Sequence, residues 1–381
     1  MYKRQGYIIT IDTVTKDNLY SLSPLFYNIG ANAKISNLYI ELYMNTKYPI
    51  NGKLIFYSNK GTIENCFINL KESNGKKNVD FALVGSYNKG TINNLIVKLS
   101  EDLYAEYNGN IIYENHGTIK NGYLYGKSLK LSAREEAFTA SGFVNTNAGE
   151  IYNMYSTINL DAEEVKENDI FSKFVANNYG GTIRNIYTVG LGTAYTKQYN
   201  ANTGKTQGKV ENSYYINDEI FEGKADTKTT SKSLYNKEFQ NQILNSENSF
   251  EIDQNIEQGY YPMLKLPECM PRQEFVELPE LTEKDLPDIV TNKVIAQENK
   301  TAKIELEVYN PAGETITDIK IKNLTTKIVS QNYSNGKSTV VVEVYNPIVC
   351  VSNYSILSIT TKGAMNLAYT RTYEELSLIH I

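Results

Sequence analysis

Apolar and polar positions through the first part of the chain follow a long repeating order, not a helical stripe or a simple alternation. The pattern I-x-N recurs at Ile35/Asn37, Ile63/Asn65, Ile92/Asn94, Ile119/Asn121, Ile151/Asn153 and Ile183/Asn185, and with valine at Val210/Asn212, at intervals of 27 to 32 residues. An N-x-G group stands ahead of most of them: NKGTIEN from Asn59, NKGTINN from Asn88, NHGTIKN from Asn115, NAGEIYN from Asn147, and the variant NYGGTIRN from Asn178. Apolar pairs such as Ile55/Phe56, Ile111/Ile112 and Phe143/Val144 come before the turns. Each N-x-G offers a position that tolerates left-handed backbone angles, and the T-I-x-N-x-aromatic stretch after it has strand composition. One period therefore holds at least two short strands and a sharp corner. A unit this thin cannot close its own core, and stacking copies of it solves the problem. The expected fold is all-β: a right-handed parallel β-helix of about seven coils over residues 6–225, rising about 4.8 Å per coil. A helical solenoid is excluded, because glycine and asparagine sit inside every unit and no unit carries a long apolar stripe of helical period.

After the last repeat the pattern changes. TTSKSLYNKEFQNQIL, within residues 226–266, has a plausible helix N-cap at Thr230 or Ser231, with Leu234, Phe239 and Ile243 close to one helical face. Open β-helix ends expose unpaired strand edges, so this segment is expected to cap one of them. Prolines then cluster over 267–289 as in an extended linker. From residue 290 to 375 the chain alternates, as in AKIELEVY from Ala302 and STVVVEVY from Ser338. Strands of that kind, punctuated by YNP and SNG, predict an immunoglobulin-like β-sandwich. The terminal segments 1–5 and 376–381 resemble translations of a transposon end sequence used in library preparation and are set apart as adaptor-derived. The lack of a leader or anchor is then uninformative.

Composition narrows the function classes. A formal net charge of −5 without a basic stripe lacks the electrostatic footprint of a nucleic-acid binder, and no membrane contact is expected within this stretch. Three cysteines, Cys66, Cys269 and Cys350, are too few and too far apart for a disulfide framework or a metal cluster. Tyrosine is abundant and tryptophan absent, which suits solvent-lapped β structure.

With the motifs in place, GTIENCFI (Gly61 to Ile68), GTINNLIV (Gly90 to Val97) and GTIKNGYL (Gly117 to Leu124) resemble the GLUG-type repeats of bacterial surface proteins. YYPMLKL, Tyr260 to Leu266, resembles the G-Y-P-x-L closure that follows such arrays. The resemblance implies a β-helical module of a large secreted or cell-wall-attached Gram-positive protein. Its parent would be an adhesin or an IgA1-protease-like zinc metalloendopeptidase, with this module in the N-terminal non-catalytic region.

The repeat also yields the candidate site residues. Stacked at one corner, the amides of Asn37, Asn65, Asn94, Asn121, Asn153, Asn185 and Asn212 form a structural ladder of the kind seen in stacked parallel strands. Four residues after each first motif position stand Tyr39, Phe67, Ile96, Tyr123, Tyr155, Tyr187 and Tyr214. If the chain turns at the asparagine, these point outward while Cys66, Leu95 and Met154 point inward. The tyrosines Tyr39, Tyr123, Tyr155, Tyr187 and Tyr214 then make a column that could grip a host protein or glycan, or that stabilises neighbouring coils by aromatic pairing or faces the core. Asp161, Glu163, Glu164, Glu167 and Asp169 form an acidic cluster without the central glycine of an EF-hand loop and are read as a solvated loop. His116 occupies the variable slot of N-x-G and is read as a solvated turn residue. A β-helix polysaccharide lyase or glycoside hydrolase would need a base beside carboxylates, and no convincing set is present. No catalytic residue, metal or cofactor is assigned.

Overall fold

The computed structural model describes residues 8–12, 21–44, 50–73, 75, 78–79, 81–106, 110–132, 139–162, 170–172, 174–189, 203–216, 227–229, 247–251, 262–271, 287–298, 300–310, 313–334, 336–345, 354–362 and 368–377. Every regular element among them is a strand. The chain forms two compact units, the first made of residues 1–228, 243–251 and 263–274, the second of 229–242, 252–262 and 275–381.

The first unit is a parallel β-solenoid of about five turns. Its first ladder runs through Ile8–Asp12, Tyr39–Tyr43, Thr62–Glu72, Thr91–Leu99, Thr118–Gly126, Glu150–Ser156, Thr182–Val189 and Lys209–Ile216, all in parallel register. The second ladder includes Phe26–Ile29, Phe56–Asn59, Phe81–Asn88, Asn110–Asn115, Val144–Asn147, Val175–Asn178 and Thr203–Thr206. A shorter third ladder joins Asn78–Val79, Leu103–Glu106, Leu129–Ser132 and Leu160–Ala162.

The I-x-N motif sets the register. Ile63 lies opposite Ile92, Ile92 opposite Ile119, Ile119 opposite Ile151 and Ile151 opposite Ile183. All five side chains are fully buried, and burial of each stabilises the fold by roughly 1.5–3 kcal/mol. The corner itself is the asparagine. Asn37, Asn65, Asn94, Asn121, Asn153, Asn185 and Asn212 all sit at φ between 46° and 59°, a left-handed conformation that asparagine tolerates better than other residues with a side chain. That single residue resets the inward and outward alternation. Cys66, Leu95, Met154 and Ile186, each next after the corner, join the interior core, and the aromatic positions one further on face the other way.

The N-x-G glycines play a different part from the one the sequence suggested. Gly61, Gly90, Gly117 and Gly149 are not left-handed. They are needed for close approach: a Cβ on Gly117 would lie 2.1 Å from the Gly90 carbonyl oxygen, and one on Gly149 2.1 Å from that of Gly117. The coils stack backbone on backbone at this corner, so the left-handed turn falls at the asparagine of I-x-N instead.

The asparagines of N-x-G form a ladder of their own. Asn59 donates to Asn88 (2.8 Å), Asn88 to Asn115 (2.7 Å), Asn115 to Asn147 (2.8 Å) and Asn147 to Asn178 (2.9 Å). Their exposure is between 0% and 1%. Each amide replaces water for the one below, which is the condition for burying a polar group cheaply.

In the second unit, one antiparallel sheet orders Asp288–Glu298, Thr301–Tyr309, Lys337–Tyr345 and Thr325–Ser334, and another orders Thr315–Ile321, Ser355–Lys362 and Ala368–Ser377. Alternate residues from both, among them Ile304, Leu306, Ile319, Val342 and Ile359, form one buried cluster. Asn310 pins the turn after its strand, accepting from the Glu314 backbone N–H at 3.0 Å and donating to the Glu314 carbonyl at 2.7 Å and to the Ser338 hydroxyl at 2.8 Å. Leu376 and Ser377, set apart above as adaptor-derived, are the last residues of their strand and pair with Ile356 and Ser355. All but the first residue of the predicted capping segment TTSKSLYNKEFQNQIL (residues 229–244), residues 1–5, 378–381 and most of the predicted linker lie outside the described residues.

Candidate functional site

The two long ladders present two outer faces, and both carry tyrosines. On the first ladder, Tyr123 and Tyr155 stack with centroids 3.8 Å apart and planes within 16°, and Tyr155 and Tyr187 stack at 5.0 Å and 13°. Tyr39 packs on Phe67 at 4.8 Å and is half-buried. Tyr214 lies in backbone register with Tyr187, and its side chain is outside the described residues.

This column is not open to a ligand where it is best formed. Tyr123, Tyr155 and Tyr187 have 0%, 1% and 0% exposure, although they stand apart from the interior core. A later piece of the chain covers them. Phe250–Glu251 pairs with Met263–Leu264 as a short antiparallel clip, and the Phe250 ring lies 5.8 Å from Tyr187 and 6.3 Å from Tyr155. Burial, and then the neighbouring phenols, hold the Tyr155 hydroxyl pKa well above its ordinary value. An exposed column here is therefore corrected: the flat phenols bury more apolar area under the clip than they would in water.

Polar contacts anchor the clip. Asn153 donates to the Glu247 carboxylate at 3.0 Å and to the Ser249 hydroxyl at 2.8 Å, and Glu247 also pairs with Arg184. Arg184 lies over the Tyr152 ring, 4.0 Å from its centroid. Further along, the exposed Cys269 thiol approaches the Asn37 side-chain oxygen at 3.7 Å.

This anchoring shapes the I-x-N amides. Asn65 donates to Asn37 (3.3 Å), Asn94 to Asn65 (2.7 Å), Asn185 to Asn153 (3.2 Å) and Asn212 to Asn185 (3.1 Å). Between these runs the order is interrupted: Asn121 donates to Asn93 at 2.8 Å, and Asn153 gives its protons to the clip.

The second ladder carries a tyrosine row that is exposed at one end and half-buried at Tyr87 and Tyr113. Tyr27 is 64% exposed and Tyr57 38%, with their rings stacked at 5.0 Å and 11°. Tyr87 meets Tyr57 edge-on at 5.4 Å, and Tyr113 meets Tyr87 edge-on at 6.2 Å. Partial burial, then the fields of Tyr57, Glu114 and Tyr113, raise the Tyr87 phenol pKa. The sequence reading passed over this row. A signal for it was present, since Tyr57, Tyr87 and Tyr113 stand one or two residues before the asparagine of N-x-G.

His116 is exposed in its turn, with Nε2 3.2 Å from the Glu114 carboxylate. Of the acidic cluster, Asp161 is the middle residue of a short third-ladder strand, while Glu163, Glu164, Glu167 and Asp169 lie outside the described residues. Among the described residues no three His, Cys, Asp or Glu side chains come together as a metal site, and no helix is long and apolar enough to cross a membrane. No protein-family model, curated protein or solved structure matches the chain.

Proposed function

We propose that this chain is a non-catalytic structural and adhesive module of a large secreted or cell-surface bacterial protein, holding an open solenoid face toward a host protein or glycan. The observation that carries the reading is the contrast between the outer faces. One tyrosine column is covered by the chain's own clip, and the other has Tyr27 and Tyr57 exposed and continues through the half-buried Tyr87 and Tyr113. Solvent-facing tyrosines offer contact area at low entropic cost, and a run of them on a rigid ladder is preorganised for binding.

The finer architecture belongs to the same proposal. Seven left-handed asparagines support seven right-handed coils of the GLUG type. The two sheets around one core support an immunoglobulin-like spacer.

Retention of the purified chain on immobilised mucin and matrix glycoproteins tests the adhesive reading. The chain is expected to be retained, and a Tyr27→Ser/Tyr57→Ser variant of unchanged circular dichroism to lose most of that retention. Equal retention of both, or none by the parent chain, would reduce the module to a spacer.

A further inference from the structure

One turn departs from the repeat. At the variable slot of N-x-G the other coils carry Lys60, Lys89, His116 or Ala148, whereas the turn from Asn178 carries Tyr179 and then an additional glycine. Gly180 is left-handed, with φ at 82°, and Gly181 takes the stacking place, where a Cβ would lie 2.7 Å from the Gly149 oxygen. The Thr182 N–H still reaches the Gly149 carbonyl at 2.9 Å. The insertion is thus absorbed without loss of register, while Tyr179 is fixed by its backbone N–H, which donates to the Asn147 carbonyl at 2.7 Å. Its side chain stands out at 67% exposure.

Beside Tyr179 lies a cleft of about 450 Å³, including the open solvent above it, lined by Thr146, Asn177, Asn178 and Gln207. Thr146 is in register with Glu114, and Asn177 with Thr146, so the cleft continues the ladder that carries Tyr113. Asn178 is occupied as a rung of the buried ladder. The side chains of Thr146, Asn177 and Gln207 have no hydrogen-bond partner among the described residues. Among the described residues, no lining residue is charged.

These features select a ligand class. An ion would give up its hydration for no counter-charge, and a purely apolar group would strand the amides and hydroxyl without partners. A ring with an apolar C–H face and hydroxyls around its edge satisfies both the exposed aromatic and the neutral donors and acceptors. We infer that this cleft is a saccharide subsite, with Tyr179 as the platform for an uncharged sugar ring and Thr146, Asn177 and Gln207 bonding its hydroxyls. The inference rests on the adhesive reading of this face and names its ligand.

Native electrophoresis of the full chain through gels containing neutral polysaccharides (a β-glucan, a mannan, a starch) or polygalacturonate tests it. At least one neutral polymer is expected to retard the chain, with Tyr179→Ala weakening retardation roughly tenfold or more, as for a truncated aromatic anchor. Tyr179→Phe keeps the ring face and most of the effect. Retardation by polygalacturonate alone, by none of the polymers, or undiminished in Tyr179→Ala overturns the subsite. Unchanged Tyr179→Ala with loss in Tyr27→Ser/Tyr57→Ser would remove the cleft and leave the adhesive face standing. Failure both here and on the glycoproteins would remove both.

Discussion

Asn115→Ala is the sharpest test of the buried amide ladder. In the folded chain the Asn115 side chain donates to Asn147 Oδ1 at 2.8 Å and accepts from Asn88 Nδ2 at 2.7 Å. Weaker bonds reach the Gly117 and Glu150 carbonyls, both at 3.3 Å. Truncation leaves an Asn147 oxygen without its main donor and takes one acceptor from Asn88, both at 0% exposure. A buried group left unsatisfied costs roughly 1–3 kcal/mol, so the two together amount to about 2–6 kcal/mol. Some of the Asn88 loss is offset, because its amide also points at the Gly90 carbonyl, 3.3 Å away, which places the expectation at about 3–4 kcal/mol. Asn93→Ala is the comparison. Asn93 accepts a single bond from Asn121 on a half-buried surface, and its loss should cost about 1 kcal/mol or less. Urea unfolding followed by circular dichroism gives the ordering, and hydrogen exchange over residues 110–126 localises it to the affected coils. A loss below about 1 kcal/mol for Asn115→Ala, or equal losses for the two variants, would refute the claim that the ladder holds the coils together.

Gly117→Ala brings a Cβ to 2.1 Å from the Gly90 oxygen, backbone against backbone, and is expected to abolish folding of the solenoid or cost more than about 3 kcal/mol; soluble yield and thermal melting report it. In native protein, thiol alkylation read by mass spectrometry should label the exposed Cys269 and spare Cys66, whose thiol burial pushes up to about 11; prompt labelling of Cys66 would contradict its interior position. Burial raises the Glu314 carboxyl above its ordinary 4.5, with the Thr361 hydroxyl pulling the other way. The folded second unit therefore binds more protons than the unfolded chain between those two values. Its stability is highest below the unfolded value and falls as pH rises through the raised folded one. Glu314→Gln should flatten that slope, and parallel unfolding curves across pH for parent and variant would count against the buried carboxyl.

The strand order of the solenoid was legible because one isoleucine in each period has a fixed inward role, and a repeated unit multiplies a weak signal. The left-handed corner was legible only as a condition, a turn at the I-x-N asparagine, because asparagine and glycine both tolerate that geometry and each period contains both. Only stacking decides between them: glycine sits where the next backbone leaves no room for a Cβ, and asparagine takes the turn. The buried amide ladder was hidden for a similar reason, since the asparagine of N-x-G looks like an ordinary turn residue until its neighbours lie above and below it. The cover over Tyr155 and Tyr187 comes from Phe250, far along the chain, and no local pattern announces it. By contrast, the departure of Tyr179 and Gly180 from the repeat was plain in the sequence, and only its meaning needed the cleft.

The measurement that tests the two-face account most directly is hydroxyl-radical footprinting of the native chain, with tyrosine oxidation read residue by residue. The account predicts rapid modification of Tyr27, Tyr57 and Tyr179 and protection of Tyr123, Tyr155 and Tyr187, with Phe250→Ala restoring reactivity to Tyr155 and Tyr187. Comparable rates at both sets, or protection of Tyr27 and Tyr57 while Tyr155 reacts, would contradict it.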